Sequence, residues 1–279
     1  MNEVKSIKIS DLISAPNNPF KVTLDVEMER LIESIAETGI IAPIIVRPTK
    51  NGKYEIVSGH RRKYACEYLG IESIPTIVKE LDRNEAVIFL VDSNLQRENI
   101  LPSEKAFAYK LKMEALSHQG TSRQLGEKWS VSQISESSNE SERQIHRYIR
   151  LTNLIPELLE FMDEGKMALS VGVELSFLDE QSQRNVLEQC EINDCTPSYA
   201  QAVRMRKAFS NFALTTDMIR SIMSEEKANQ TERISFKVQD LRGFFPRNYT
   251  GKQMSETILK LLYENQRKME RRRNSRDER

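Results

Sequence analysis

The pattern of apolar and polar residues changes along the chain and predicts two kinds of structure. In the first part, short apolar runs of strand length such as "APIIVRP" and "YEIVSG" alternate with segments of helix length. Between Met28 and Ile35, for example, apolar residues recur at helical spacing. From Leu101 onward the strand signal fades, and helical runs continue to about Asn211. The pattern therefore predicts an α+β unit followed by an all-helical unit.

The same pattern sets the expected domain boundaries. We expect residues 1–100 to form an α+β domain, residues 101–211 an all-α domain and residues 212–279 a small C-terminal strand-helix unit. In the last unit, "ERISFKV" alternates like a strand, and the following helix ends in an arginine-rich tail. Because so small a unit buries little apolar surface, we expect it to pair with a second copy in a homodimer. The terminal arginines either contact the DNA backbone or form a solvated tail.

Composition narrows the class of protein. Of the 279 residues 39% are hydrophobic and 29% charged, and the formal net charge is zero, which excludes a uniformly basic surface but leaves room for local basic patches. Cys66, Cys190 and Cys195 lack the spacing of a disulfide framework or a metal site. There is no apolar run of membrane-spanning length and no apolar core of a signal peptide at the start. We therefore expect a cytoplasmic protein with no membrane partner.

The segment "EIVSGHRRKYA" places basic side chains where a predicted strand turns into a predicted helix. A helix N-terminus offers unpaired N–H groups and the positive end of the helix dipole, which suit an anion. Gly59 permits close approach of the backbone, and Arg61 and Arg62 add planar forks that match phosphate oxygens. The junction therefore predicts a phosphate site that begins at Gly59 and His60. The alternative is a pair of arginines that bind acidic side chains or face water.

A second segment, "VDSNLQREN", supplies further candidates at the end of a later helix. Asn94 and Arg97 are three residues apart and share a helical face, with Gln96 between them. An asparagine can ligate Mg²⁺ or bind a phosphate, and an arginine can clamp a phosphate. The alternative is a solvated helix end at which a cation favours the helix dipole.

The segment "QISESSNESERQIHRYIRLTNLIP" has the pattern of a helix-turn-helix. Ile134 begins the apolar pattern of the first helix, Asn139 falls in the turn, and Ser141 can cap the second helix. Polar side chains on a recognition helix can bind base edges and phosphates in the major groove. The alternative is a helical hairpin with an exposed polar face. Residues 119–131 look longer than a usual link before such a motif, which suggests a flexible insertion. The candidate DNA-binding residues are Ser141, Arg143, Gln144, His146, Arg147 and Arg150.

In combination these segments resemble the ParB family of DNA partition proteins. "SGHRRKYA", "DSNLQREN" and "LPSEKAFAY" follow the order and spacing of that family's Gly-Glu-Arg-Arg-x-x-Ala and Glu-Asn-x-Gln-Arg boxes, and "APNNPF" resembles its Pro-Asn-x-x-x-Pro box. The resemblance covers residues 5–210. It implies a ParB/sulfiredoxin-like N-terminal domain, a helix-turn-helix and double-stranded DNA as the partner. It also implies that CTP with Mg²⁺ closes the N-terminal domains of a dimer into a clamp on DNA.

Carried onto this chain, the resemblance assigns two sets of residues. Asn94 would be the metal ligand. The nucleotide- and phosphate-binding residues would be Gly59, His60, Arg61, Arg62, Asn94, Gln96 and Arg97.

Two departures from the family pattern bear on catalysis. His60 and Ser93 stand where the family has glutamates, which removes carboxylates that could coordinate Mg²⁺ or position water. We therefore expect nucleotide binding with weak or absent CTP hydrolysis, and we assign no catalytic residue. The family recruits a ParA-like ATPase through an arginine-bearing N-terminal tail. The tail here carries Lys5 and Lys8 without an arginine, which argues against that partner.

The sequence is compatible with three functional hypotheses. The first is ParB-like partition of a chromosome, plasmid or mobile element, with a CTP-gated clamp at the nucleoid or plasmid. The second is a transcriptional regulator or element-maintenance factor with a degenerate nucleotide pocket. The third is a nuclease, against which stands the lack of an Asp/Glu cluster near the two boxes. Sulfiredoxin chemistry is not expected, because Gly59 stands where that fold's active loop has a cysteine.

Overall fold

The computed structural model describes residues 3–97, 99–117, 123–138, 140–225, 241–246, 249–250, 253–254, 256–264 and 266–267. The chain divides into two compact units, Met1–Glu225 and Glu226–Arg279. The first unit begins with an α+β part and continues with helices alone, so the predicted fold class is confirmed.

The α+β part is built on a five-stranded mixed sheet with the strand order β1-β5-β3-β4-β2. The strands β3 and β4 form an antiparallel hairpin, whereas β3 and β5 run parallel. The tight turn of the hairpin ends at Gly52, whose N–H donates to the carbonyl of Thr49 at 3.1 Å. The strands are β1 (Val4–Lys8), β2 (Leu12–Ile13), β3 (Ile44–Pro48), β4 (Tyr54–Ser58) and β5 (Ser73–Val78).

Three helices accompany this sheet: α1 (Val26–Thr38), α2 (His60–Tyr68) and α3 (Arg83–Leu95). Asp25 caps α1 by accepting the N–H of Met28 at 2.7 Å. A capping box begins α3, because Asp82 accepts the N–H of Glu85 and the Glu85 carboxylate accepts that of Asp82. Apolar faces of α1 and α2 pack on the sheet in one buried cluster. These local signals fix where the loops of the site begin and end.

The helical part consists of eight helices among the described residues of the first unit. Two of them, α5 and α6, form the helix-turn-helix, which packs on α4. The helices are α4 (Pro102–Ser117), α5 (Arg123–Ser138), α6 (Glu142–Leu151), α7 (Pro156–Asp163), α8 (Leu169–Leu175), α9 (Glu180–Ile192), α10 (Tyr199–Ser210) and α11 (Thr216–Met223).

Two features of the helical part differ from the sequence expectations. Helix α5 begins at Arg123, so most of the segment 119–131, expected to be a flexible insertion, belongs to this helix. Helix α11 lies beyond the expected boundary at residue 212, yet its Ile219, Ile222 and Met223 are buried in the core shared with α7 to α10. The apolar face of α11 explains why the first compact unit extends to Glu225.

The second unit is described only in part. Residues 256–264 are helical, and Leu259, Leu261, Leu262 and Tyr263 are exposed. The predicted strand "ERISFKV" lies outside the described residues, as does Asn139 in the turn of the helix-turn-helix. None of the helices in the described ranges is long and apolar enough to cross a membrane.

Candidate anion cleft and helix-turn-helix surface

A cleft of about 710 Å³ opens where the first turns of α1 and α2 meet the residues that follow α3. The structure brings Arg61 from the first predicted segment together with Gln96 and Arg97 from the second. The two separated segments of the sequence thus converge on one site. The residues that line the cleft are Asp25, Val26, Glu27, Arg61, Gln96, Arg97 and Asn99.

Arg61 is already paired with a carboxylate. Its two terminal nitrogens donate to the two oxygens of Asp25, Nη1 to Oδ2 at 3.1 Å and Nη2 to Oδ1 at 2.8 Å. The hydrogen bond from Arg61 lowers the pKa of Asp25 to about 2, and the same bond raises the pKa of Arg61. This bidentate geometry is the one in which an arginine would also hold a phosphate.

Arg97 faces the cleft without such a partner. Among the described residues, its guanidinium group makes neither a hydrogen bond nor an ion pair. Desolvation by the surrounding protein and the positive charge of Arg61 both lower the pKa of Arg97. Two guanidinium groups that repel each other gain energy when an anion binds between them.

Gly59 is required by the packing of its own backbone. Its φ of 106° is unfavourable for other residues, and a Cβ atom there would lie 2.6 Å from Cγ2 of the buried Ile44. This position therefore has a structural reason to be glycine, independent of any ligand.

His60 does not line the cleft. Its Nε2 atom is buried and has no hydrogen-bond partner within the described part of the chain. Burial, assisted by the charges of Arg97 and Lys63, lowers the pKa of His60 to about 4. His60 is therefore neutral near pH 7 and lies outside the lining of the cleft.

Arg62 does not line the cleft either. Its Nη1 donates to the carbonyl oxygens of Ala42, at 2.5 Å, and Pro43, at 2.7 Å, in the loop before β3. Burial lowers the pKa of this guanidinium group. In this structure Arg62 ties α2 to the sheet, and of the two neighbouring arginines only Arg61 reaches the cleft.

Asn94 is also absent from the lining of the cleft. The residue is 6% exposed, and its side-chain amide donates to the Leu90 carbonyl of its own helix at 2.8 Å. In the described ranges, groups of three or more His, Cys, Asp or Glu side chains that could hold a metal ion do not occur. In this structure Asn94 is therefore not placed to ligate a Mg²⁺ ion in the cleft.

Sequence reasoning missed the acidic side of the cleft. Asp25 and Glu27 come from the first turn of α1, and the Asp25–Arg61 pair joins residues 36 positions apart. Neither carboxylate belongs to one of the two boxes, yet both line the cleft that the boxes form. Asp25 carried one usable signal, its N-cap position before an apolar helical pattern, but nothing local connected it to Arg61.

The helix-turn-helix is held together as its sequence pattern indicates. The Ser141 hydroxyl accepts the N–H of Gln144 at 3.2 Å and so caps α6. Ile134 of α5 and Ile145 of α6 are fully buried in a cluster with Tyr109 of α4. The opposite side of α6 is left to polar residues.

The candidate DNA-binding side chains of α6 fall into two groups. Arg143 and His146 are exposed, and the half-buried Arg147 donates to Oε1 of Gln144 at 3.1 Å. These four side chains are free to move toward a ligand. They share the helix with Ser141, whose hydroxyl is used by the cap.

Arg150 belongs to the second group, because its side chain is used in packing. Its guanidinium carbon lies 4.0 Å from the ring centre of Phe177, and its Nη2 donates to the Ser176 carbonyl at 3.2 Å. Arg206 stacks on the same ring at 3.5 Å and pairs with Glu174. Arg150 therefore attaches the end of α6 to the helices behind it.

Comparison with known proteins gives a consistent family. Residues 1–95 match the family described as the ParB N-terminal domain. The chromosome-partitioning protein Spo0J of Thermus thermophilus is 28% identical over 208 residues, which cover 74% of this chain and 72% of the relative. A nucleoid occlusion protein of a Geobacillus species is 36% identical over 126 residues, which cover 44% of this chain and 45% of the relative. The second match thus spans about half the length of that relative.

A solved structure is similar over a larger share of the chain. It is the C-terminally truncated chromosome-partitioning protein ParB from Caulobacter crescentus, complexed to the centromeric parS site. Its sequence is 21% identical, the TM-score is 0.43, and the match covers 78% of this chain and 98% of that one.

Proposed function

Because the chain belongs to the ParB family, we propose that it is a partition protein that binds duplex DNA through α6 and a nucleoside triphosphate in the Arg61–Arg97 cleft. The observation that carries the proposal is the convergence of these two arginines on one cleft. They come from two sequence segments that the family resemblance assigns to phosphate binding. We take CTP as the nucleotide because the same family resemblance implies it.

The cleft is large enough for a polyphosphate, and two guanidinium groups line it. Arg97 makes no ion pair with the described residues, and Arg61 has a bidentate fork that Asp25 occupies in this structure. Gln96 and Asn99 add amide groups that can donate to phosphate oxygens or to a base. When Mg²⁺ is bound with a nucleotide, it would neutralise part of the phosphate charge. The guanidinium and amide groups of the cleft would then make the protein's own contacts with the nucleotide.

A panel of nucleotides tests the nucleotide part of the proposal. Calorimetric titration of the full chain with CTP, UTP, ATP and GTP, each with Mg²⁺, should give tighter binding of CTP than of the other three. Phosphate release measured in the same samples should be slow or absent. Binding of none of the four would overturn the nucleotide assignment and leave the DNA assignment to its own test.

Selection from a random pool of DNA fragments tests the DNA part. A helix-turn-helix that reads bases enriches one sequence, and a homodimer enriches that sequence as an inverted repeat. The strength of binding should fall with added salt, because phosphate contacts release counterions. Fragments without a common sequence would contradict a sequence-specific reader.

The proposed homodimer has a direct test as well. Light scattering after size exclusion should give twice the chain mass of 32.3 kDa. A mass equal to one chain at micromolar concentration would contradict the dimer. A ParA-like ATPase remains a doubtful partner, since Lys5 lies in the edge strand β1 and pairs with Glu3.

Nucleoid occlusion is the second candidate role, because a relative of that name has the higher identity of the two reported. The two roles differ in what a deletion does to cells. Loss of a partition protein should produce cells without DNA, and loss of nucleoid occlusion should produce septa that form across DNA. Microscopy of a deletion strain with stained DNA separates them. A regulator with a degenerate pocket would give neither defect.

A further inference from the structure

The charges that line the anion cleft balance one another. The described lining side chains carry two positive charges, on Arg61 and Arg97, and two negative charges, on Asp25 and Glu27. A polyanion that approaches this cleft meets repulsion as well as attraction. A nucleoside triphosphate that uses both arginines needs Arg61 released from its acidic partner.

The acidic neighbour that matters most is Asp25. Both of its carboxylate oxygens accept from Arg61, at 3.1 and 2.8 Å, and thereby occupy the end of the guanidinium group that would hold a phosphate. Glu27 lines the same cleft but makes no ion pair with the described residues, so it acts on Arg61 only through its field. Both carboxylates therefore carry a negative charge, but only that of Asp25 contacts Arg61.

Asp25 is anchored more firmly than Arg61. Its Oδ1 accepts the N–H of Met28 at 2.7 Å as the cap of α1, and its Oδ2 lies 3.4 Å from the Thr23 hydroxyl. Asp25 can keep both contacts after Arg61 leaves. Arg61 has a long flexible side chain and is held at the cleft by this partly exposed pair, with 20% of its side chain exposed and 43% of that of Asp25. Arg61 is thus the part that moves.

We propose that Asp25 is an internal competitor of the nucleotide: its carboxylate holds Arg61 in the free protein, and the bound triphosphate takes Arg61 from it. The inference rests on the proposed function and adds how affinity at the same site is set. Each ligand that uses Arg61 has to break one carboxylate pair first, which lowers its affinity. If Asp25 instead oriented Arg61 for the ligand, removing the charge of Asp25 would weaken ligand binding.

The test is the substitution Asp25→Asn. Asparagine caps helices as well as aspartate does, so α1 keeps its N-terminus, whereas alanine would remove the cap. Calorimetric titration of the full chain with CTP and with inorganic tripolyphosphate should show a Kd that is about three- to tenfold lower in D25N than in the wild type. The matched variant Glu27→Gln removes the same charge from the same cleft without touching the pair, and its Kd should change about twofold or less.

A second arm shows whether the effect runs through Arg61. In an R61Q background, adding D25N should improve the Kd no more than adding E27Q does, because the pair no longer exists. Equal gains from D25N and E27Q in the wild-type background would overturn the competitor role in favour of general repulsion.

The remaining outcomes separate this inference from the proposed function. A wild type that binds CTP with a D25N variant that binds equally well or more weakly overturns the competitor role alone. Lack of binding of either probe by both proteins overturns the nucleotide assignment together with the competitor.

Discussion

At the start of α2, three consecutive basic side chains meet three different environments. Arg61 turns into the cleft and pairs with Asp25, while Arg62 donates to the carbonyls of Ala42 and Pro43. His60 has a buried and unpartnered Nε2. Successive residues of a helix point about 100° apart, so the side chains of consecutive residues face different environments. The sequence identified the run but not the direction of each side chain.

The buried His60 makes stability depend on pH. Its pKa is lowered from 6.5 to about 4, so between these values the unfolded chain binds a proton that the folded protein excludes. Stability should therefore fall as the pH drops from about 6.5 to about 4, by up to about 3 kcal/mol. Urea unfolding across this range should show a smaller fall in His60→Gln than in the wild type. His146→Gln, which alters an exposed histidine, is the control, and an identical fall in H60Q and the wild type would contradict the prediction.

Gly59 offers a test of local packing. Gly59→Ala combines an unfavourable positive φ with a contact of 2.6 Å on Ile44 and should lower the free energy of unfolding by about 2–4 kcal/mol. Gly70→Ala is the matched control, because its φ is also positive, at 70°, but nothing lies within 4 Å of the added carbon. It should cost about 1 kcal/mol. If denaturant unfolding showed the same loss of unfolding free energy in both variants, the prediction would be contradicted, because Ile44 would then have moved away from the added carbon.

At the scale of elements, α6 carries candidate DNA-binding side chains on one side and Arg150, which is used in packing, on another. Arg147→Ala removes a side chain whose described hydrogen bond is to Gln144 on the same helix, and affinity for the selected duplex should fall about tenfold with little change in stability. Arg150→Ala removes the stack on Phe177 and should lower the free energy of unfolding by about 1–2 kcal/mol. Fluorescence anisotropy and urea unfolding measure the two effects. The reverse pattern would move the DNA-binding face of α6 toward Arg150.

Elements with a local signal could be predicted from the sequence, and those held by tertiary packing could not. Patterns among neighbouring residues indicate the N-cap and the C-terminal glycine of α1, the hairpin of β3 and β4, and the capping box of α3. Helix α5 has a polar first half, and its buried Val131 and Ile134 find their partners on α4 and α6. Likewise, Asp25 meets Arg61 across 36 residues, so the acidic half of the cleft had no local signature.

At the scale of the whole molecule, α4 joins the part that contains the anion cleft to the helix-turn-helix. The ammonium group of Lys112 contacts Asp92 of α3 and Ser137 of α5, with 4% of the Lys112 side chain exposed. Lys105, two turns earlier on α4, pairs with Glu140 beside the turn of the helix-turn-helix. A charge buried to this degree is stabilised only by such partners. These contacts explain why the first compact unit does not divide at residue 100.

The central claim is that Arg61 and Arg97 bind one polyanion in one cleft, and a titration with CTP tests it most directly. Arg61→Gln and Arg97→Gln should each weaken binding at least tenfold, because each removes a charge-assisted contact to the phosphates. Arg30→Gln, on the exposed side of α1 and outside the lining of the cleft, is the control and should bind as the wild type does. Wild-type affinity for CTP in either R61Q or R97Q would contradict the shared site.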